Sequence, residues 1–237
     1  MSPRTTPHRI SSRTDYWLIV FVKAPTPGRV KTRLLRCLSP EEASQLYQRL
    51  VRDTLRVATR LSGIHVVVAY AADAQYPTLR WISRPYATIP QRGRDLGERL
   101  SRAFAWAFAH GARRVVVMGS DAPDLSARWI RQAFRALAAH DVVVGPTLDG
   151  GYHLIGLNEP RPAYFRHIPW STARVCSTTL ARIARRGDRV FCLTPIFDLD
   201  IPRDLQRYAR QLHADPARLR RSLTARYLLR LGCVRRT

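Results

Sequence analysis

The stretch WLIVFVKAPTPGRVKTR, residues 17–33, leads from an apolar run into a loop rich in proline and positive charge. The run 17–22 is continuous and contains β-branched and aromatic residues, as expected of a strand that is buried on both faces. Two prolines stiffen the loop, and Gly28 permits a turn that other residues resist. Residues 31–33 are predicted to start a helix, where cationic side chains and the helix N-terminus would bind phosphate.

Lysine use singles out this loop. The chain has 40 basic residues, and only Lys23 and Lys31 are lysines. Lysine carries a compact ammonium group, whereas arginine carries a broad planar fork, so a crowded phosphate site favours lysine. We predict that Lys23, Pro27, Gly28, Lys31 and Arg33 bind substrate, and that Lys31 is also catalytic. The alternatives are a rigid turn with solvated charges and chance clustering of two lysines.

Further apolar runs alternate with helical patterns along the chain. The strand-like runs cover 64–70, 114–118, 141–145, 152–157 and 189–193. The helical patterns cover 40–61, 95–109 and 126–139. Ser39 and Glu42 form a predicted capping box at the first of these helices. The alternation predicts an α/β protein, a Rossmann-like three-layer α/β/α sandwich around a mainly parallel, mixed sheet.

The length of 237 residues suits one large domain. We predict a domain at 15–210, a basic flexible tail at 1–14 and an arginine-rich helical extension at 211–237. Residues 201–237 are predicted to form two helices that are separated near residues 215–216. No apolar run reaches the roughly 18 residues that span a membrane, and the opening lacks a signal-peptide pattern. A cytoplasmic location is therefore expected.

The formal net charge is +23. The basic residues are spread along the chain without a block of like charges, which favours a bias toward arginine over a nucleic-acid patch. We expect weak affinity for polyanions and no specific nucleic-acid partner. The four cysteines show no CxxC spacing, which argues against a zinc site or a disulfide framework. The oligomeric state stays open.

Acidic residues follow two of the predicted strands. Asp121 comes after the strand 114–118, and ligands of open α/β sheets bind at the carboxyl ends of strands. Carboxylate oxygens suit Mg²⁺ or Mn²⁺, which also bridge phosphates. Asp198 and Asp200 lie on one side of an extended segment, and one of them would complete the site. We predict Asp121 and Asp200 as metal ligands, with Asp121 also catalytic; helix capping is the alternative for Asp200 and for Asp124.

The segment Asp149-Gly150-Gly151-Tyr152 precedes another strand. Its two glycines would let the backbone approach a ligand closely. We predict Asp149 as a catalytic base, and Gly150, Gly151 and Tyr152 as substrate contacts. A hairpin turn is the alternative, because Asp-Gly is a strong hairpin signal. His153, beside this turn, is the one histidine that we consider a candidate, against an ordinary role in a strand.

The segment QRGRDLGER, residues 91–99, begins a predicted helix. Its glycines and arginines could approach a nucleobase or a phosphate group. We predict Asp95, Gly97 and Arg99 as substrate-binding residues. The general excess of arginine makes this segment less specific than the others.

Six motifs occur together in order: KAPTPGRVKTRL, QRGRDLGER, GSDAPDL, GPTLDGGYHLIGL, IPWST and DLDIPRDL. As a set, over about residues 16–206, they resemble a family of bacterial GT-A-fold glycosyltransferases. That family is often filed as a domain of unknown function. Its members are commonly labelled nucleotide-diphospho-sugar transferases, some of them associated with arsenosugar biosynthesis. The family is similar to the guanylyltransferases of cofactor F420 and molybdenum-cofactor biosynthesis.

The resemblance implies a GT-A fold with the KTRL loop near the phosphates, and Asp121 at the acidic metal-binding position. It implies a glycosyltransferase that uses Mg²⁺ or Mn²⁺ and moves a sugar from a nucleoside-diphosphate sugar to an acceptor that the sequence does not identify. The alternative is nucleotidyl transfer from a nucleoside triphosphate, with release of pyrophosphate. A nonenzymatic polyanion-binding protein has only the net charge in its favour. The chain departs from the family pattern at Ser120, Ala122 and His153. His153 stands where the family usually has an aromatic residue, so the resemblance does not identify the acceptor.

Overall fold

The structure is a computed structural model that describes residues 14–233 except 83, 124 and 216. The predicted tail 1–14 therefore lies outside the described residues apart from Thr14, and so does the proposed helix cap Asp124.

The described residues form a mixed sheet of seven strands in the order β3-β2-β1-β4-β6-β5-β7. The strands are β1 Tyr16–Lys23, β2 Ile64–Ala71, β3 Ala87–Pro90, β4 Arg114–Met118, β5 Val142–Pro146, β6 Tyr152–Leu157 and β7 Val190–Cys192. Strand β6 runs antiparallel to both of its neighbours, and every other pair is parallel. The predicted mainly parallel, mixed sheet is confirmed.

Helices cover both faces of the sheet, which confirms the predicted three-layer α/β/α arrangement. The first four are α1 Pro40–Ala58, α2 Leu96–Ala109, α3 Ala127–Ala136 and α4 Val175–Ala184. One apolar cluster packs α1 and α3 on one face, and a second packs α2 and α4 on the other. The predicted capping box of α1 is present, because Ser39 and Glu42 each accept a hydrogen bond from the other's backbone amide.

The C-terminal part forms three helices, not the two that the sequence predicts. They are α5 Pro202–Ala214, α6 Ala217–Arg221 and α7 Leu223–Arg230. Ser222 divides the expected second helix, because its side chain caps α7. The Asp53 carboxylate on α1 accepts from the Ser222 hydroxyl and from the backbone amides of Leu223 and Thr224. A third apolar cluster joins α5 and α7 to α1, so these helices pack against the sheet domain.

Two elements are absent from the sequence prediction. Strand β3 is short and mostly exposed, and it pairs only with β2 at the edge of the sheet. Helix α4 begins at Val175 without a side-chain cap. Across the described part of the chain, we find no helix that combines the length and the apolar character needed to cross a membrane.

Candidate active site at the carboxyl ends of the strands

A cavity of 610 Å³ opens where β1 and β4 end. Strand β6 is antiparallel, so its first residues, Tyr152 and His153, reach the same edge of the sheet. The loop after β1, the loop after β4 and the segment before α5 also contribute to its wall. Open α/β sheets bind ligands at this edge.

The loop after β1 is held in place by backbone hydrogen bonds. The Ala24 amide donates to the Ala71 carbonyl, and the Arg29 amide donates to the Thr26 carbonyl. The loop ends at Lys31, whose φ of 50° lies in the left-handed region. Only one 3₁₀ turn, Thr32–Leu34, follows. The predicted start of a helix is wrong here, because the left-handed conformation of Lys31 interrupts helical geometry. A turn of three residues also has only a small dipole, so it would attract a phosphate group less than a helix would.

The Lys31 ammonium lies between two carboxylates. Its Nζ is 2.5 Å from Oδ1 of Asp121 and 2.7 Å from Oδ1 of Asp200, and its side chain is 2% exposed. Burial opposes the charged form, but the negative charges of Asp121 and Asp200 outweigh it and raise the pKa of Lys31. Lys31 therefore keeps its positive charge at neutral pH and lines the cavity as an ammonium group.

The segment 198–200 supplies two carboxylates with different environments. Burial raises the pKa of Asp200, but the adjacent Lys31 ammonium outweighs it, so the pKa of Asp200 is lowered overall. Oδ1 of Asp198 is buried and has no hydrogen-bond partner in the described structure. Its pKa is raised, first by burial and then by the negative charge of Asp121. The helix-cap alternative for Asp200 is wrong, because Asp204 caps α5 by accepting from the amides of Asp200 and Ile201.

The described residues contain no group of three or more side chains arranged to hold a metal ion. Mg²⁺ is usually bound by one or two carboxylates together with phosphate oxygens of a substrate and water. Asp121 fits that mode with either carboxylate of the 198–200 segment. The unpartnered oxygen of Asp198 makes it a candidate beside the predicted Asp200, since a cation would neutralise it.

Several predicted residues line the cavity and others do not. Those that line it are Lys23, Lys31, Arg33, Asp95, Arg99, Asp121, Tyr152 and Asp200. Those outside the lining are Pro27, Gly28, Gly97, Asp149, Gly150 and Gly151. Four of these six are glycines: Gly28 and Gly150 adopt positive φ angles in loops, and Gly97 lies in α2.

The loop between β5 and β6 is a hairpin loop, as the Asp-Gly signal indicates. Oδ1 of Asp149 accepts from the Thr147 hydroxyl at 2.6 Å and from the Gly151 amide at 3.0 Å. Both bonds lie within the loop, so this carboxylate oxygen stabilises the turn. The role of Asp149 as a base stays a prediction.

The start of α2 forms another part of the wall. Asp95 caps the helix by accepting from the Glu98 amide, and Arg99 Nε donates to the Gly93 carbonyl. A Cβ atom at Gly97 would lie 2.4 Å from the Phe165 carbonyl oxygen. Gly97 therefore lets this helix approach the segment before α4, while Asp95 and Arg99 face the cavity.

Other lining residues were not singled out from the sequence. Tyr47 comes from α1, and its hydroxyl accepts from the Lys23 amide at 2.8 Å. Gln91 Nε2 donates to the carbonyls of Val22 and Ala69, which ties the ends of β1 and β2 together. Trp170 and Ser171 also line the cavity. The motifs QRGRDLGER and IPWST contain Gln91, Trp170 and Ser171, whereas nothing in the sequence near Tyr47 indicates its role.

His153 is a buried neutral histidine. Its ring packs against Gly145, and neither ring nitrogen has a hydrogen-bond partner of normal geometry among the described residues. Burial lowers its pKa to about 4, although the backbone of Pro146 and Gly145 acts weakly in the other direction. The unfolded chain, with an ordinary pKa, takes up this proton first as the pH falls. The contribution of the neutral His153 ring to the free energy of unfolding is therefore complete above about pH 6.5, and it is lost as the pH falls towards 4.

We expect His153→Phe to flatten this pH dependence. Between pH 6.5 and 4, the free energy of unfolding of the wild-type protein should fall by about 3 kcal/mol more than that of the variant. Urea unfolding at a series of pH values measures both. Equal pH slopes in the two proteins would show that His153 does not titrate as the buried geometry requires.

Residues 54–172, about half of the chain, match a family described as an uncharacterized protein conserved in bacteria (DUF2064). The chain belongs to this family. The predicted resemblance is confirmed, because a relative at 34% identity over nearly the whole chain carries the expected nucleotide-sugar label. The shared region contains Asp121, the 145–157 hairpin and the IPWST segment.

The chain is similar to two proteins that are named as a guanylyltransferase and a nucleotide-diphospho-sugar transferase, and a third, more distant structure shares its fold. A phosphoenolpyruvate guanylyltransferase of Chloroflexus aurantiacus (strain ATCC 29364 / DSM 637 / Y-400-fl) is 29% identical over 182 residues, 76% of this chain and 88% of the relative. The crystal structure of a "putative nucleotide-diphospho-sugar transferase" from Desulfovibrio desulfuricans G20 is 34% identical. Its TM-score is 0.86 over 93% of this chain and 96% of that chain. The 4-diphosphocytidyl-2C-methyl-D-erythritol synthase of Anaerococcus prevotii DSM 20548 is 8% identical, with a TM-score of 0.55 over 84% and 97% of the two chains, and shows the fold alone.

Proposed function

We propose that the protein is a nucleotidyltransferase that moves a nucleoside monophosphate from a nucleoside triphosphate to a phosphorylated small acceptor. The supporting observation is the row of cations on one wall of the cavity, formed by Lys23, Arg29, Lys31 and Arg33 of a single loop. A nucleoside triphosphate carries more negative charge than a nucleoside-diphosphate sugar, whose terminal phosphate is esterified. The cationic loop therefore suits the triphosphate better.

In the reaction, an oxygen of the acceptor's phosphate attacks the α-phosphorus of the nucleotide. The bond from the α-phosphorus to the bridging oxygen breaks, and pyrophosphate leaves with the electron pair. Lys31 and Arg33, which both line the cavity, would stabilise the charge that develops on the leaving group. Asp121 would hold a divalent ion together with Asp198 or Asp200. When bound, such an ion neutralises phosphate charge and polarises phosphoryl oxygens.

Phosphoenolpyruvate is the first acceptor to test, since it is named in the activity of the Chloroflexus aurantiacus relative. Asp95, Arg99, Trp170 and Ser171 also line the cavity, and we place the acceptor among them. Arg99 provides a positive charge for an acidic acceptor there.

Glycosyl transfer is the second candidate. The supporting observation is the similarity to the Desulfovibrio desulfuricans structure, which is 34% identical over nearly the whole chain. In that reaction an acceptor hydroxyl would attack the anomeric carbon, and a nucleoside diphosphate would leave. Asp121 would hold a divalent ion, and that ion and the cationic loop would neutralise the leaving diphosphate.

The leaving group separates the two reactions. We expect pyrophosphate release when the protein is incubated with Mg²⁺ or Mn²⁺, phosphoenolpyruvate and one of the four common nucleoside triphosphates. The matched incubation replaces the triphosphate by a panel of nucleoside-diphosphate sugars and detects nucleoside diphosphate. Nucleoside diphosphate release alone would replace the proposal by glycosyl transfer. If neither product forms, and no nucleotide raises the melting temperature of the folded protein, both candidate functions are wrong.

A further inference from the structure

The position of Lys31 is that of a bound cation. Its ammonium contacts one oxygen of each of two carboxylates that come from separate loops, after β4 and before α5. The contacts are 2.5 Å to Asp121 and 2.7 Å to Asp200, and the side chain is almost fully buried. A divalent ion that binds Asp121 must therefore share this carboxylate with Lys31 or displace it.

We propose that Lys31 is a resident cation that keeps a free divalent ion from Asp121 until the phosphates of a nucleotide draw the ammonium away. The inference rests on the proposed nucleotide site. It makes metal binding conditional on nucleotide binding, through one side chain that exchanges a carboxylate partner for a phosphate partner.

The surrounding charges explain why a metal ion alone does not displace Lys31. A metal ion that takes Asp121 leaves the Lys31 ammonium with Asp200 alone, or with neither carboxylate if Asp200 also binds the metal ion. Losing these partners is costly for a buried charge. The other charged side chains of its loop that line the cavity, Lys23, Arg29 and Arg33, are all positive. The phosphate chain of a nucleotide supplies the missing negative partner, so the nucleotide and the metal ion increase each other's affinity.

The backbone holds Lys31 in this place. Its φ of 50° is unusual for a residue with a side chain, and such a conformation persists only where the surroundings impose it. The Leu34 amide donates to the Lys31 carbonyl at 2.8 Å and closes the 3₁₀ turn. A flexible four-carbon stem on a fixed backbone can carry the ammonium from a carboxylate to a nearby phosphate, which a rigid planar guanidinium does less readily.

Nucleotide-free Mn²⁺ binding to the full-length protein, measured by electron paramagnetic resonance, tests the exclusion. We expect Lys31→Met to bind Mn²⁺ at least about tenfold more tightly than the wild-type protein. Lys23→Met is the matched control, because it removes the same charge from the same cavity without removing a carboxylate contact. Its affinity should stay within about threefold of wild type. If Lys31→Met binds no more tightly than Lys23→Met, the proposal is wrong.

A second measurement uses the wild-type protein and so does not depend on the folding of a variant. Because the chain has two lysines, ¹⁵N-lysine labelling gives at most two side-chain ammonium resonances. The Lys31→Arg variant retains only Lys23, so the resonance that is missing from its spectrum belongs to Lys31. We expect the Lys31 resonance to stay unchanged with Mg²⁺ alone and to move when Mg²⁺ and guanosine 5′-(β,γ-imido)triphosphate, or the corresponding adenosine, cytidine or uridine analogue, are added together. Movement with Mg²⁺ alone, or no movement with any analogue that binds, overturns the proposal.

The two measurements separate this inference from the proposed function. If Lys31→Met gains Mn²⁺ affinity but no nucleotide analogue binds the wild-type protein, the proposed function fails while the exclusion of the metal ion by Lys31 stands. If nucleotides bind and Lys31→Met gains no Mn²⁺ affinity over Lys23→Met, the inference fails while the proposed function stands.

Discussion

Asp121→Asn is expected to lower turnover by about 1,000-fold or more, because it removes the carboxylate that both Lys31 and a divalent ion would share. The substitution keeps the size of the side chain and removes its charge. Lys31 would retain only Asp200, so the floor of the cavity would lose the balance of charges that positions the ammonium. Pyrophosphate release, or nucleoside diphosphate release for the second candidate function, measures the effect.

Asp15→Asn is the matched control for this variant. Asp15 lies at the surface, where it pairs with Arg113 at 3.6 Å, and the substitution makes the same chemical change. Exposed pairs contribute little to stability, so turnover and melting temperature should stay near the wild-type values. A turnover of Asp121→Asn within about tenfold of that of Asp15→Asn would exclude Asp121 from the reacting centre.

Gly150→Ala is expected to lower the free energy of unfolding by about 3–5 kcal/mol. Gly150 has a φ of 88°, and an added Cβ would lie 2.1 Å from the Ala173 carbonyl oxygen. The obstacle is backbone, so it cannot move aside as the end of a flexible side chain would. The Gly150 carbonyl also accepts from the Cys176 amide at 2.9 Å, and the methyl group would separate the hairpin loop from the start of α4. Urea unfolding followed by circular dichroism measures the loss.

Gly28→Ala separates the effect of backbone strain from the effect of the steric clash. Gly28 has a φ of 75°, but no described residue other than its two chain neighbours has an atom within 4 Å of its added Cβ. The cost should therefore be the backbone strain alone, about 1–2 kcal/mol. If the two variants lose equal stability, the close contact between Gly150 and Ala173 does not exist in solution.

Strands buried on both faces were predictable, because their β-branched runs are continuous. The run 114–118 is β4 without any change of bounds, and 64–70 is β2 to within one residue. Strand β3 was not predicted, because an edge strand is paired on one side only and needs no apolar run. Helix α4 was not predicted either. Its sequence is VCSTTLARIA, and the serine and threonine residues weaken the apolar stripe.

The location of the site was predictable in the same way. Residues that follow parallel strands meet at one edge of the sheet, which brings Lys31 and Asp121 together. The contacts between side chains were not predictable. The sequence assigned Lys31 to a phosphate and Asp200 to a metal ion, and in the structure these two side chains bind each other. Tyr47 reaches the cavity from α1 without any sequence signal, because the crossing of that helix over the sheet decides where its hydroxyl lies.

By itself, the sequence determined the α/β class, the three-layer arrangement around a mixed sheet, and the loops that carry the polar residues of the site. It could do so because alternating apolar patterns and turn residues act locally, within a strand or a helix and the loop beside it. Only the tertiary structure decided that Lys31 lies between Asp121 and Asp200, and that a buried oxygen of Asp198 has no hydrogen-bond partner among the described residues. The reason is physical: the partners of a buried charge come from segments 90 and 169 residues away, and packing of the sheet and helices fixes their distances.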